Sequence, residues 1–310
     1  MTVVRNHLRT SLTHFKASAN FTVGKELIEV PATTLDQPIL LFKNNPISKR
    51  RKQKKQETTK TPDLGHWNLR DVEFAETPSQ LGKLHMLALS KCFDPTGTTS
   101  ATTSGLLQQA YTSFRRKLED HGISIGNGTT AEESEGKVPS GAEGAVKHLF
   151  NNIHQSTKDC SIILIPEKDY QLYAKWKRHF DFSGRQVLFA TGSKFFEKGS
   201  QDFMSNLALK VNMKFGGVSH HLNADTLDKL LGKKLNIKNN TIVLGADIGH
   251  CGTGGKEGSP SVACVVGSVD NRFMSYPGSM RLQRGGQEVS IKPILCRYIA
   301  KDYRTSRMST

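Results

Sequence analysis

The sequence predicts an α/β protein: an extended amino-terminal segment, a parallel sheet with helices on both faces, and a second, incomplete α/β unit. Three observations carry this. Short apolar runs such as Ile162 to Ile165 alternate, between Leu84 and Lys214, with stretches whose apolar residues recur at helical spacing. A charged tract without apolar residues, Ser48 to Asp63, precedes that region and reads as a mobile loop. After Asn240, three strand-like runs and one helical stretch are too little for an independent domain, so this part reads as cut off.

Residues 1–77 read as a connector, with extended runs at Leu27 to Val30 and Ile39 to Phe42 and apolar character returning at "GHWNLRDVEF", Gly65 to Phe74. Residues 78–235 read as the first α/β domain. Leu84 to Leu89 has the composition of a buried strand, and Leu106, Leu107, Ala110, Phe114 and Leu118 predict an amphipathic helix over Gly105 to His121. The Gly-, Ser- and Glu-rich stretch Gly126 to Gly144 predicts a loop. A helix over Ala145 to Ile153, a central strand "CSIILIP" ending at Pro166, a helix over Tyr170 to Phe180 and a strand over Gln186 to Ala190 follow. The next helix, Gln201 to Lys214, stops at Gly216-Gly217. Asn223 to Asn240 reads as a polar link. Residues 236–310 then offer strands at Thr241 to Gly245, Ser261 to Ser268 and Arg272 to Leu282, and a helix over Glu288 to Tyr303 interrupted by Pro293.

With 310 residues the chain has room for about two domains of ~100–200 residues each. Its 43 Lys and Arg against 28 Asp and Glu give a formal charge of +15, which favours polyanionic partners. Nucleic acid is preferred over membrane, because the longest apolar runs fall far short of the ~20 residues a spanning helix needs. A solvated basic surface also accounts for the charge. The first residues lack a continuous apolar stretch, so no secretory signal is expected. Five scattered cysteines without a CxxC pair fit reduced thiols in the cytoplasm or the nucleus and give no basis for a zinc site. Lys49 to Lys55 has the composition of an import or RNA-contacting patch, or of a solvated basic loop.

Two helices carry the candidate chemistry. Tyr173 and Lys177 are four apart, so one helix presents an aromatic plane beside an ammonium group. Lys210 and Lys214 are also four apart, with Asn206 one turn earlier on the same stripe. Such a set suits a terminal nucleotide: lysines for phosphate charge, and a ring for base stacking worth ~1–3 kcal/mol. Spacing alone leaves an ordinary solvated lysine face equally open.

Five motifs, in order, resemble the Argonaute family over about Gly65 to Glu288. "SNLALKVNMKFGGV" resembles the segment that joins the MID and PIWI domains, and "LYAKWKR" is similar to the family's Tyr-x-x-x-Lys helix. "VLGADIGH" resembles a G-A-D-V-[TS]-H strand, "GSPSVACVVGSVD" and "RLQRGGQEV" follow at the family's spacing, and "GHWNLRDVEF" is similar to the end of the second linker. The resemblance implies a Rossmann-like MID domain followed by a truncated ribonuclease-H-like PIWI domain, in a divergent eukaryotic, perhaps fungal, member. It implies that Tyr173 stacks on the first base of a small single-stranded guide RNA while Lys177, Lys210 and Lys214 surround its 5′-phosphate. Pro166 to Tyr170 would test that base. A family Gln is matched here by Ser193, which is shorter, so weaker phosphate binding is expected.

In family members that cut RNA, a carboxylate matching Asp247 begins an Asp-Glu-Asp-His set that holds two Mg²⁺ ions ~3.5–4 Å apart. Asp247 is expected at a strand end, and Glu288 matches the family's Glu. The second Asp and the His are expected beyond Thr310. Two carboxylates do not securely hold two divalent ions, so the resemblance implies guide binding without cleavage by this chain, with Mg²⁺ not productively bound. His250 is expected to be structural, and the family's Pro is replaced by Cys251; neighbours in sequence rarely face each other as a nucleophile and base. Alternatives stay open: a Mg²⁺-dependent endoribonuclease completed by a longer isoform or a second chain, a truncated gene product without function, or a general basic nucleic-acid binder. Target RNA and silencing-pathway proteins would be further partners.

Overall fold

The structure is a computed structural model and describes residues 36–43, 58–79, 81–89, 91–93, 103–126, 130–133, 141–166, 169–232, 240–251 and 258–286. Apart from Asp36 these belong to one unit, Gln37–Thr310. In chain order the strands are β1 (Leu40–Phe42), β2 (Thr58–Lys60), β3 (Leu84–Ala88), β4 (Thr130–Glu133) and β5 (Cys160–Ile165). They continue as β6 (Gln186–Thr191), β7 (His221–Leu222), β8 (Leu244–Gly249), β9 (Ser261–Gly267) and β10 (Gly278–Gln283). The helices are α1 (Thr103–Asp120), α2 (Gly141–His148), α3 (Tyr170–Phe182), α4 (Ser200–Lys214) and α5 (Ala224–Leu231). The chain past α2 continues as one π-helical turn, Leu149–Ile153.

β5 is buried at every residue. A strand with no solvent-facing side needs neighbours on both edges and cover on both faces, which is why it reads as an unbroken apolar run. It pairs in parallel with β3 and β6, and β3 with β4, in the order β4-β3-β5-β6. Alternate residues then serve opposite faces. Cys160, Ile162 and Leu164 join Leu188, Ala190, Phe114 and Leu118 of α1, and Met204, Leu207, Ala208 and Val211 of α4. Ile163 and Ile165 join Val187, Ala145, Val146 and Leu149, and Trp176 and Phe180 of α3. So α1 and α4 cover one face, α2 and α3 the other. The predicted α/β class with a parallel sheet covered on both sides is what the structure has.

Four expectations need correction. The loop over Gly126 to Gly144 contains β4, which lies at the sheet edge, where a strand tolerates polar composition. The tract Ser48 to Asp63 is not a loop throughout: Thr58–Lys60 pairs antiparallel with β1, which pairs on its other side with β7. The polar link after Asn223 begins with α5, whose amide at Thr226 donates to the Asn223 side chain at 2.9 Å, a helix cap. The strand expected over Arg272 to Leu282 starts at Gly278, because Asp270 accepts amides of Arg272, Met274 and Ser275 and holds a turn there. The readings at Leu27 to Val30, Lys49 to Lys55 and Glu288 to Tyr303 lie outside the described residues.

Beneath the amino ends of β3 and β5 sits a buried polar cluster. His154 is fully buried; its Nε2 donates to the Ser156 carbonyl at 3.1 Å and its Nδ1 accepts from the Ser161 hydroxyl at 2.8 Å. His85 stands next to it, with Nε2 3.4 Å from Asp159 Oδ2. Burial, then the neighbouring His85 and Arg185, hold the His154 imidazole down from 6.5 to about 4, against the opposing pull of Asp159. Above pH ~6.5 the imidazole is neutral folded or unfolded, and stability is full. Between pH 6.5 and 4 the unfolded chain takes the proton and the folded one does not, so stability falls as pH falls, by on the order of 3 kcal/mol. His154→Asn should therefore be less stable at pH 7.5 yet lose less stability down to pH 4.5. Urea midpoints across that range check this; parallel curves for the two proteins would refute it.

Candidate anion site at the edge of the parallel sheet

The site starts from how α3 is anchored. Asp169 caps its amino end, its Oδ1 accepting the amides of Gln171 at 3.1 Å and Leu172 at 2.9 Å. With Trp176 and Phe180 committed to the core, the stripe Tyr173, Lys177 and Asp181 faces away from it. Tyr173 is 43% exposed and meets the Phe189 ring of β6 edge-on, with centroids 5.3 Å apart. Lys177 is ion-paired with Asp181 one turn further along.

From the opposite face comes α4. Its last residue, Lys214, donates from Nζ to Gln186 Oε1, 3.3 Å away at the start of β6. Gly216, at φ +78°, then turns the chain, and Gly217 packs so closely on Asn212 that a Cβ would lie 2.2 Å from Asn212 Oδ1. These glycines fix where Lys214 ends up. The Lys214 pKa is lowered, first by burial and next by the Lys177 ammonium, with Asp181 pulling the other way. Two helices on opposite faces of the sheet thus bring two ammonium groups together beyond β6, an edge strand in the described sheet. Clustered half-buried cations with lowered proton affinity are a receptive site for an anion.

Of the residues expected from sequence, Tyr173, Lys177 and Lys214 come together here. Lys210 is exposed and lies one turn, ~6 Å, back along α4, on the Lys214 stripe. Asn206 is exposed a further turn away. Ser193 is in the 3₁₀ turn after the other end of β6, where its hydroxyl donates to Glu197 at 3.0 Å. Of the loop Pro166 to Tyr170, residues 167 and 168 lie outside the described residues. Sequence reasoning missed Asp181, Gln186 and Phe189. Asp181 was signalled by its four-residue spacing from Lys177; the other two depend on strand pairing. Cys160 lies at the buried start of β5, its thiol pushed up to about 12 by burial against the opposing Lys214 charge, so it is unreactive.

Residues 160–308 match the Piwi domain family. The chain superposes on the C-terminal lobe of a budding yeast Argonaute with a TM-score of 0.62 at 21% identity, over 87% of this chain and 53% of that one. It matches Kluyveromyces polysporus Argonaute with a guide RNA at 0.63 and 20% identity, over 89% of this chain and 30% of that one. The figures for Drosophila Piwi are 0.60 and 14%, over 88% and 32%. The chain carries a Piwi domain on an Argonaute MID–PIWI fold. It spans about half the length of the yeast lobe and less than a third of the Kluyveromyces protein. Among the described residues no helix is long and apolar enough to cross a membrane.

In the Piwi domain, β8, β9 and β10 form an antiparallel sheet in the order β10-β9-β8. Asp247 is not at a strand end: it lies inside β8, paired opposite Cys264, which in turn faces Met280 of β10. Its side chain is exposed. His250 Nδ1 is 2.8 Å from the Ser261 hydroxyl, and Cys251 is an exposed free thiol. Glu288 lies outside the described residues. Among the described residues no three His, Cys, Asp or Glu side chains gather as a metal site. Asp247 alone does not fit the oxygen-rich set that Mg²⁺ requires.

The lysine pair is expected to cost stability in the absence of an anion. Lys214→Met keeps the aliphatic contact and removes a half-buried charge beside another, so it should raise folding stability by up to about 1 kcal/mol. Urea denaturation at neutral pH measures this; a loss of the same size would mean that the bond to Gln186 outweighs the repulsion.

Proposed function

We propose that this chain holds the 5′-phosphorylated end of a small single-stranded guide RNA in the MID site and does not itself cut RNA. The observation that carries the reading is the meeting of Lys177 and Lys214 from opposite faces of the sheet. Two ammonium groups offer charge-assisted hydrogen bonds to phosphate oxygens. Lys210, one turn along α4, adds a third cation within reach of a bound terminus. Tyr173, half-exposed and steadied by Phe189, is oriented to stack on the adjoining base. The two Argonautes with guides among the similar structures hold guide RNA in the Kluyveromyces polysporus protein and guide DNA with a target in that of Clostridium butyricum (TM-score 0.56). They support a nucleic-acid end as the ligand.

Cleavage is a separate matter. The residues available for it by resemblance are Asp247 and Glu288, and Asp247 lacks the neighbouring donors a Mg²⁺ pair needs among the described residues. Mg²⁺ is accordingly not assigned a step here. What the chain's own residues supply is charge, stacking and orientation.

Binding of a short single-stranded RNA with and without a 5′-phosphate tests the reading. The wild type should prefer the phosphorylated end by about tenfold or more, as charge-assisted bonds to one dianion imply. Lys210→Ala combined with Lys214→Ala should erase that preference and leave only salt-sensitive backbone binding. Equal binding of both RNAs by the wild type would overturn the proposal.

A further inference from the structure

The resting site already contains an anion. Asp181 closes on Lys177 within the last turn of α3, and it also acts on the Lys214 ammonium. Helix stability does not account for it there. A carboxylate in the last turn opposes the helix dipole, and a lysine four residues before an acid is the weaker order of an i,i+4 pair. What favours the position is the pair of ammonium groups it faces. Lys177 is largely covered, with 23% of its side chain exposed, whereas Asp181 is 56% exposed. The carboxylate can therefore rotate into water while the lysine stays.

We propose that Asp181 is a specificity-determining residue, an internal counterion that an incoming 5′-phosphate must displace, so that the site accepts a doubly charged end and rejects a singly charged one. The inference rests on the reading of the lysine pair as the phosphate site. Its logic is a count of charges. Lys177, Lys214 and Asp181 together carry +1, so exchanging the carboxylate for another single negative charge gains almost nothing. A dianion brings one further charge to two lysines and displaces Asp181 by repulsion. The carboxylate thus weakens all anion binding but weakens the binding of monoanions most. A site without it would be tighter and less selective.

The test uses the full chain and three RNAs of one sequence, ending in a 5′-monophosphate, in its singly charged methyl ester, or in a hydroxyl. Asp181→Asn should bind the monophosphate RNA roughly tenfold more tightly than wild type, as removal of a like charge a few ångströms away implies. It should bind the methyl ester tighter by a larger factor still, shrinking the preference for the dianion. Binding of the hydroxyl RNA should change less than about twofold, since its backbone charges are remote from the pair. Asp181→Glu, which keeps the charge, should behave as wild type. A merely structural ion pair would show a different result: a lowered melting temperature, with all three RNAs affected alike. If wild type prefers the monophosphate and Asp181→Asn leaves both its affinity and the dianion preference unchanged, the inference fails and the phosphate site stands. If neither protein distinguishes the three RNAs, the phosphate site fails and the inference with it.

Discussion

A strand without a solvent side dictates the rest of this structure. Because β5 is buried from Cys160 to Ile165, helices must cover both faces of its sheet, and they lie apart with the sheet between them. Side chains from α3 and α4 can then meet only beyond the last strand. Lys177 and Lys214 do so past β6, where Gln186 and Phe189 present one side chain to each helix. The apolar packing of Trp176 and Phe180 on one side, and of Leu207 and Val211 on the other, holds the two ammonium groups together against their repulsion. The hydrophobic core is in this sense the source of the electrostatics.

That arrangement trades stability for readiness to bind. Half-burying Lys214 beside Lys177 disfavours its own charge, and Asp181 offsets part of the cost. An arriving anion relieves the same repulsion, so the unfavourable resting state becomes part of the binding energy. His154 follows a different logic. It too is buried and resists protonation, but its two ring nitrogens have partners and it faces no opening, so its perturbed pKa reports packing. The two groups show why a shifted pKa alone does not identify a site: what separates them is access.

How far the sequence was legible follows the same physics. β5, α3 and α4 were readable because central strands and core-facing helices have to be apolar at fixed intervals, and α3 ran only two residues past its predicted end. β4 was not, since an edge strand needs no apolar run, and β2 and β7 are too short to show a period. α5 hid in a polar stretch although Asn223 and Leu227 marked its cap and its buried side. At the site, the spacings Tyr173 to Lys177 and Lys210 to Lys214 gave each helix its stripe. Nothing local indicates that Lys177 and Lys214, on different helices, would meet. Only the covering of opposite faces does that. Asp181 was visible at four residues from Lys177, yet without Lys214 opposite it an i,i+4 pair is unremarkable.

The phosphate site and the Piwi sheet are also separable in physical terms. Among the described residues, the side chains that form the site and the strands and helices that carry them lie between Cys160 and Lys214. The described polar links to the Piwi sheet run elsewhere, through Arg272 on Glu76 and His221, far along the connector from Gln186. Glu76 in turn is tied to the end of α4 by backbone bonds with Val218 and by the Asn212 amide, 3.1 Å from its carbonyl. Movement of the Piwi hairpin thus reaches the lysine pair through one strap, at Asn212, two residues before Lys214. Anion binding needs the MID sheet and its two helices. Metal chemistry needs donors around Asp247 that the MID sheet cannot provide. One can persist in a chain where the other is incomplete, because they rest on different packing.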